Sequence, residues 1–459
     1  MRKKNSFLKF IITIIFIGLV AAAGFLFLSP QFEQKPPQIS FTNGEYWNLK
    51  TKLHITITDQ SGIKYYKITF IDDKKQIVLD QQVLTTITNK VDLQVSPPKL
   101  DMFYKGKDIK IKVEAIDNSK WNFFNGNMAS KTFNIKIDTK KPIANVINNS
   151  RYIRRGGSAI VVVKVKDENL KDAYISFNNT NRFVLIPFYK PDYYVALIAW
   201  DINIAYEDFD QVNLIAIDKA GNKTISKVPL YIQKLKIKQD NITISDKFIS
   251  NVSRNVLEQM GQSIPQDSKD IFIKQNDFLR QENIKTIKKT VMDNMDKSQI
   301  DSFAINRFKR LKGSRTAAGF AERRSYYYHN EKIDEQWHLG LDFASVRHAA
   351  IRISNSGKVI FNSYLGIYGN TIIIDHGMGL ASLYAHTTDQ YVQVGDMVNR
   401  NKKIATTGTT GAVMGDHLHF GILIQGIEVN PIEWMDKNWI KTRILNILTN
   451  SKKMIKSDK

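Results

Sequence analysis

The sequence predicts a mainly β protein: an N-terminal transmembrane helix, two tandem β-sandwiches, a helical linker and a histidine-bearing, β-leaning C-terminal domain. Three observations predict it. The stretch 10–28 is apolar and uncharged, alternating segments return in two copies about a hundred residues apart, and six of the eight histidines lie within residues 337–422. At 459 residues there is room for about three domains behind the helix.

The apolar run follows Met1-Arg2-Lys3-Lys4 and Lys9. At about 1.5 Å per helical residue it reaches across a bilayer core. The preceding positive charge favours a cytoplasmic tail, residues 1–9, with everything after residue 28 outside. Ala21-Ala22-Ala23 offers a rival reading as a signal-peptidase site, but Phe25-Leu26-Phe27-Leu28 extends the run beyond it and favours an uncleaved, single-pass anchor in the cytoplasmic membrane. There is no cysteine, which excludes disulfides, a lipoprotein and thiolate metal ligands. The formal charge of +22 suits nucleic acid in a soluble protein. Behind a membrane helix the expected counter-surfaces are anionic, lipid headgroups among them, and no nucleic-acid partner is expected.

After a linker near Gln34–Pro37 the chain turns strand-like, with alternation over 52–58, 64–70 and 108–115. The pattern then returns. Residues 161–165 followed by Asp167 echo 55–57 followed by Asp59, and Ala216-Ile217-Asp218-Lys219-Ala220-Gly221-Asn222 echoes Ala115-Ile116-Asp117-Asn118-Ser119. Two sandwiches are expected, at 36–138 and 142–234. The Asp-x-Ala-Gly-Asn ending resembles bacterial immunoglobulin-like domains, which implies spacing, adhesion or contact with envelope proteins and no chemistry. Asp59, Asp117, Asp167 and Asp218 sit near strand ends and read as turn caps, because no full calcium-ligand series surrounds them.

From residue 245 the period changes. Phe248, Val252, Val256, Leu257 and Met260 recur at helical spacing after Ser245-Asp246, and Ile271, Phe278, Leu279 and Ile284 mark a second stretch, giving a helical arm over 245–296. A basic amphipathic tail, 438–459, closes the chain, with Ile440, Ile444, Ile447 and Leu448 on one face. Its expected dock is the chain's own surface.

The chemistry lies between arm and tail, over 301–437. His338-Leu339-Gly340-Leu341-Asp342 brings a histidine and an aspartate to one side in either helical or extended geometry. His417-Leu418-His419-Phe420 presents two imidazoles on one strand face, with the apolar pair facing a core. Ser382-Leu383-Tyr384-Ala385-His386 adds a histidine at the end of an apolar run. A hydrolytic zinc site takes three N or O ligands and leaves a position for water. Four histidines and one aspartate supply those ligands and leave two imidazoles for proton transfer.

The stretch from about Phe320 to Trp434 resembles the LytM-type M23 family of zinc metallopeptidases, which cleave peptide cross-links in bacterial peptidoglycan. The resemblance rests on Arg323-Arg324-Ser325-Tyr326, on His338 through Ala344, on Tyr368-Gly369-Asn370 running to Asp375-His376-Gly377, on Leu383-Tyr384-Ala385-His386, on Val394-Gly395-Asp396, on Gly408-Thr409-Thr410-Gly411 and on Gly415-Asp416-His417-Leu418-His419-Phe420. It implies an all-β groove with a metal on its floor. It also implies that His338, Asp342 and His419 bind zinc, and that His386 and His417 are catalytic histidines flanking the attacking water. Arg347-His348-Ala349-Ala350 replaces the family's usual Gly-Thr/Ala-Pro turn, which alters a groove loop and leaves the five residues intact. His376 reads as a structural or groove-rim residue, His329 and His348 as exposed, and His54 as part of another domain.

The expected activity is endopeptidase cleavage of peptidoglycan cross-links on the periplasmic side, of the D-alanyl-diaminopimelate type. Cleavage of glycyl-glycine bridges, or a non-catalytic LytM-like role activating or scaffolding other wall hydrolases, are the alternatives. By analogy with related envelope peptidases, the arm or the second sandwich is expected to fold over the groove.

Overall fold

The computed structural model describes residues 4–73, 75–101 and 104–457. Met1–Lys3 of the expected basic tail, and the last two residues, lie outside them. The chain divides into two compact units, residues 1–142 with 167–171 and 217–223, and residues 143–166, 172–216 and 224–459.

The first unit opens with the helix Lys4–Leu28, of which Phe7–Leu28, 22 residues with mean hydropathy 2.8, is long and apolar enough to cross a membrane. Both a membrane anchor and a signal sequence have that form. Two sheets follow. One orders the strands Gln38–Phe41, Leu53–Thr58 and Lys90–Val95, and the other orders Tyr46–Trp47, Met128–Ile137, Asp108–Asp117, Ile63–Ile71 and Gln76–Val83. Trp47, Ile55, Ile57, Phe70, Ile111 and Val113 fill the layer between them. Alternation along Asp108–Asp117 is the cause, since every second residue from Ile109 is buried. Its last member, the buried Asp117, accepts the Ser119 and Asn127 N–H groups at 3.0 and 2.8 Å, which is a turn cap.

In the second unit the strand Ser158–Lys166 pairs with Tyr193–Ala199 and Ile143–Asn149, and residues 158–163 are all buried. This run does not alternate because both faces are covered. The tail supplies the second cover: the helix Asn446–Ser457 and the turn before it bury Ile440, Ile444, Leu448 and Ile455. Ser150 Oγ donates to Arg443 O at 2.7 Å, and Lys190 Nζ to Ile455 O at 3.0 Å. The amphipathic segment therefore docks on the chain itself.

An antiparallel sheet carries the C-terminal region, ordered Arg315–Ala318, Leu341–Ala344, Leu418–Ile424, Leu380–Ala385, Asn370–Asp375, Gly357–Tyr364 and Met397–Val398. The arm is built into this region. Before it, the strand Gln239–Thr243 pairs in parallel with Glu322–Tyr328. The Ser245 hydroxyl caps the first helical segment by accepting from Phe248 N, and Asp267 caps the second by accepting from Lys269 and Asp270 N. Wide turns at Ile249–Ser253 and Lys274–Leu279 shift the helical phase. The second of these leaves Phe278 exposed and Leu279 buried. The helix Arg280–Asn294 then sends Ile287 and Val291 into one core with Ile367, Ile373, Leu383 and Leu423.

Candidate metal centre

Strand register assembles the site. Asp342 and His419 are direct partners across Leu341–Ala344 and Leu418–Ile424, and on the other edge His419 faces Ala385, the residue before His386. His338 ends the strand Glu331–His338, and the turn through Gly340 folds it back over Asp342. Gly340 is required there. A Cβ at this position would lie 2.5 Å from His419 Nε2 and 2.8 Å from Phe420 O.

The three side chains converge tightly. His338 Nε2 is 3.0 Å from Asp342 Oδ1 and 3.2 Å from His419 Nδ1, and His419 Nδ1 is 2.9 Å from Asp342 Oδ1. Together they form a buried group that can hold a metal ion. His338 Nδ1 is 2.7 Å from Gly319 O. A carbonyl only accepts, so Nδ1 carries the proton and Nε2 keeps its lone pair for the shared centre.

His386 and His417 stand beside this group, with ring centroids 4.9 Å apart. The same logic fixes both tautomers. His386 Nδ1 donates to Thr410 O and His417 Nδ1 to Gly415 O, each at 2.8 Å. That leaves each Nε2 free, and His417 Nε2 lies 3.6 Å from Asp342 Oδ1. Burial, reinforced by His417 and His419, holds the His386 imidazole well below its ordinary pKa, and burial brings His419 down to about 4. Burial alone would raise Asp342, but His338 and His419 override it and hold the carboxyl well below its usual range. Burial thus favours the neutral imidazole at His386 and His419, beside the Asp342 carboxylate.

All five residues singled out in the sequence come together, and the other histidines do not. His376 bridges Ser356 O and Ser382 Oγ, His329 stacks on Tyr328, and His348 is exposed. Sequence reasoning assigned no role to Arg324, whose Nη2 lies 3.6 Å from both Asp342 Oδ2 and Glu322 Oε2 and whose buried Nε has no hydrogen-bond partner. Nor did it single out Tyr368, whose ring packs edge-on against His419 at 5.6 Å. Their places in the quoted motif blocks were the available signal. The cleft over the site, about 250 Å³, is walled partly by the arm through Phe248, Phe272 and Arg280. A second carboxylate group, Asp138, Asp167 and Asp218, lies in the other unit, where the Asn222 N–H and side-chain amide cap Asp218.

Residues 336–431 match Peptidase family M23, a span that contains His338, Asp342, His386, His417 and His419. This stretch is an M23 peptidase domain. Its curated relatives include the DD-carboxypeptidase/endopeptidase Mpg of Neisseria meningitidis serogroup B, 35% identical over 107 residues, which are 23% of this chain and 25% of that protein. The peptidoglycan DD-endopeptidase ShyB of Vibrio cholerae is 31% identical over 131 residues, 28% of this chain and 30% of that protein. The murein hydrolase activator NlpD of Salmonella dublin is 38% identical over 108 residues, 23% of this chain and 28% of that protein. The chain thus spans less than a third of the length of each of these relatives, and the likeness lies in the M23 domain.

Proposed function

We propose that this chain is a zinc-dependent endopeptidase that hydrolyses peptide cross-links of peptidoglycan on the outer side of the cytoplasmic membrane. The observation that carries the reading is the convergence of His338, Asp342 and His419, beside two further imidazoles whose Nε2 atoms are free. The donor set fits zinc. Two imidazole nitrogens and one carboxylate oxygen are a usual catalytic complement, and an ion at about 2.0–2.1 Å from each would separate them by about 3.3–3.4 Å, against the observed 2.9–3.2 Å.

When bound, zinc supplies Lewis acidity, polarising the scissile carbonyl and acidifying the attacking water. The chain's residues do the rest. Either His386 or His417 takes the proton of the water at Nε2; the imidazolium so formed donates a hydrogen bond to the oxygen that gains negative charge and then passes that proton to the leaving amine, with the second imidazole beside it. Their backbone-anchored Nδ1–H groups hold both rings in the required tautomer. Relatives named peptidoglycan DD-endopeptidase favour the D-alanyl-diaminopimelate bond over glycyl-glycine bridges. In this reading the anchor at 10–28 is retained, and the sandwiches at 36–138 and 142–234 act as spacers with room for envelope protein partners.

The second reading, a non-catalytic activator, draws on the NlpD likeness. Detergent-solubilised full-length protein, incubated with purified peptidoglycan with and without chelator, separates the two. Chelator-sensitive conversion of cross-linked dimers to monomers, read by mass, is the expected result. A folded, zinc-loaded protein that releases nothing would favour the activator.

A further inference from the structure

The short turn Trp121–Phe124 departs from the rest of the first unit's surface. Phe123 is 91% and Phe124 69% exposed, although large aromatic side chains are ordinarily well buried in a folded domain. Asn122, Phe123 and Phe124 have φ of 51°, 56° and 67°. Three successive non-glycine residues in the left-handed region carry a conformational cost. Packing within the unit does not offset it, because the turn buries none of its residues.

The position of the turn points to what does. Lys120 N–H donates to Gln31 O, and the Lys120 ammonium donates to Gln31 Oε1, both at 2.7 Å. The Trp121 ring lies 5.9 Å from that of Phe27, which is next to last in the apolar span Phe7–Leu28. The turn is thereby held beside the end of the span, at the level where hydrocarbon gives way to headgroups in a membrane-inserted chain. Tryptophan favours that level, and phenylalanine rings reach just below it.

We propose that Trp121–Phe124 is a membrane-interface wedge. Phe123 and Phe124 enter the leaflet from which the span emerges, Trp121 sits among the headgroups, and the first sandwich is thereby held to the bilayer at two points. The proposal rests on the reading of Phe7–Leu28 as a retained anchor. Its occupant is the lipid interface, because the patch is continuous with the span through the Trp121–Phe27 contact.

The chain has no cysteine, so a single introduced thiol is a unique labelling site. Full-length Phe124→Cys, Asp73→Cys and Val20→Cys variants, each carrying an environment-sensitive fluorophore, are reconstituted into phosphatidylethanolamine/phosphatidylglycerol vesicles with and without brominated acyl chains. Asp73 is the control, since it joins the strands Ile63–Ile71 and Gln76–Val83 at the sheet end opposite the Ile63–Asp117 pair. The expected result is blue-shifted emission, quenched by brominated lipid, at positions 124 and 20 and neither effect at 73. A water-like label at 124 with a lipid-like label at 20 overturns the wedge and leaves the anchor standing. A water-like label at 20 removes the anchor and the wedge with it. Blue-shifted emission at 124 that brominated lipid does not quench means protein covers the turn, and also overturns the proposal.

Discussion

Asp342 Oδ1 lies 2.9 Å from His419 Nδ1 because the two residues are register partners on adjacent antiparallel strands. A slip of one residue would turn one of them to the opposite face, so the sheet itself fixes the geometry of the proposed ligands. Asp342→Asn, nearly isosteric, replaces one carboxylate oxygen by an amide nitrogen without disturbing the register. Elemental analysis should find stoichiometric zinc in the wild type and little in Asp342→Asn or His338→Ala, with unchanged circular dichroism. Zinc and activity retained in His338→Ala would refute the ligand assignment.

In the proposed mechanism the two flanking imidazoles act on protons and stand outside the ligand set. Substituting His386 or His417 by Ala should lower kcat by about 10²–10⁴-fold while zinc content stays near the wild-type level. Loss of metal in either variant would move that residue into the ligand set.

Gly340 has a separate role in clearance. The methyl group of Gly340→Ala would meet His419 Nε2 at 2.5 Å and Phe420 O at 2.8 Å. The strain should cost about 1–3 kcal/mol in stability and weaken metal binding, read by chelator competition. Wild-type metal affinity in this variant would mean that the His419 ring moves aside freely.

Ile444 is fully buried where the tail covers the strand Ser158–Lys166. Ile444→Ala should destabilise the second unit by about 2–5 kcal/mol, measured by denaturant unfolding, although it touches no site residue. A change below about 0.5 kcal/mol, the range of ordinary surface substitutions, would show that the tail docks only loosely.

Glu433 links stability to pH. Burial pushes its carboxyl up to about 7 from an ordinary 4.5, against the pull of the Ser158 N–H bonded to its Oε2 at 2.9 Å. The folded chain therefore holds a proton that the unfolded chain releases. Its stabilising contribution is full below about 4.5 and is lost as pH rises through about 7. Glu428, pushed up to about 7 by burial, acts in the same direction. Glu433→Gln removes one share, so its melting temperature relative to wild type should climb between about pH 5 and pH 8. A constant offset across that window would contradict the shift.

The five candidate residues could be picked out because each lies in a short local pattern, and the M23 match spans all of them. Alternation exposed the strands of the first unit, where one face is packed and the other wet. Over 158–163 it gave only the echo at 161–165, because that run does not alternate: both faces are buried, the second by a helix nearly three hundred residues away in sequence. The arm's helices were visible in their period, but not their place, because Ile287 and Val291 look like any amphipathic pair until the core they enter is known. Phe278 and Leu279 both marked the second helical stretch, and the wide turn at Lys274–Leu279 leaves the first exposed and the second buried. Arg324 carries no spacing signal at all, and only the folded register brings it to Asp342.

The helix Arg280–Asn294 lies outside the M23 match yet contributes Ile287 and Val291 to the core beneath it. The hydrolytic cassette is therefore not portable at the edges that family likeness suggests. A graft cut at residue 336 or 296 would carry every expected ligand and leave behind a piece of its own interior. Transplanting it into another scaffold calls for a cut before Gln239, taking the parallel strand and the whole arm along.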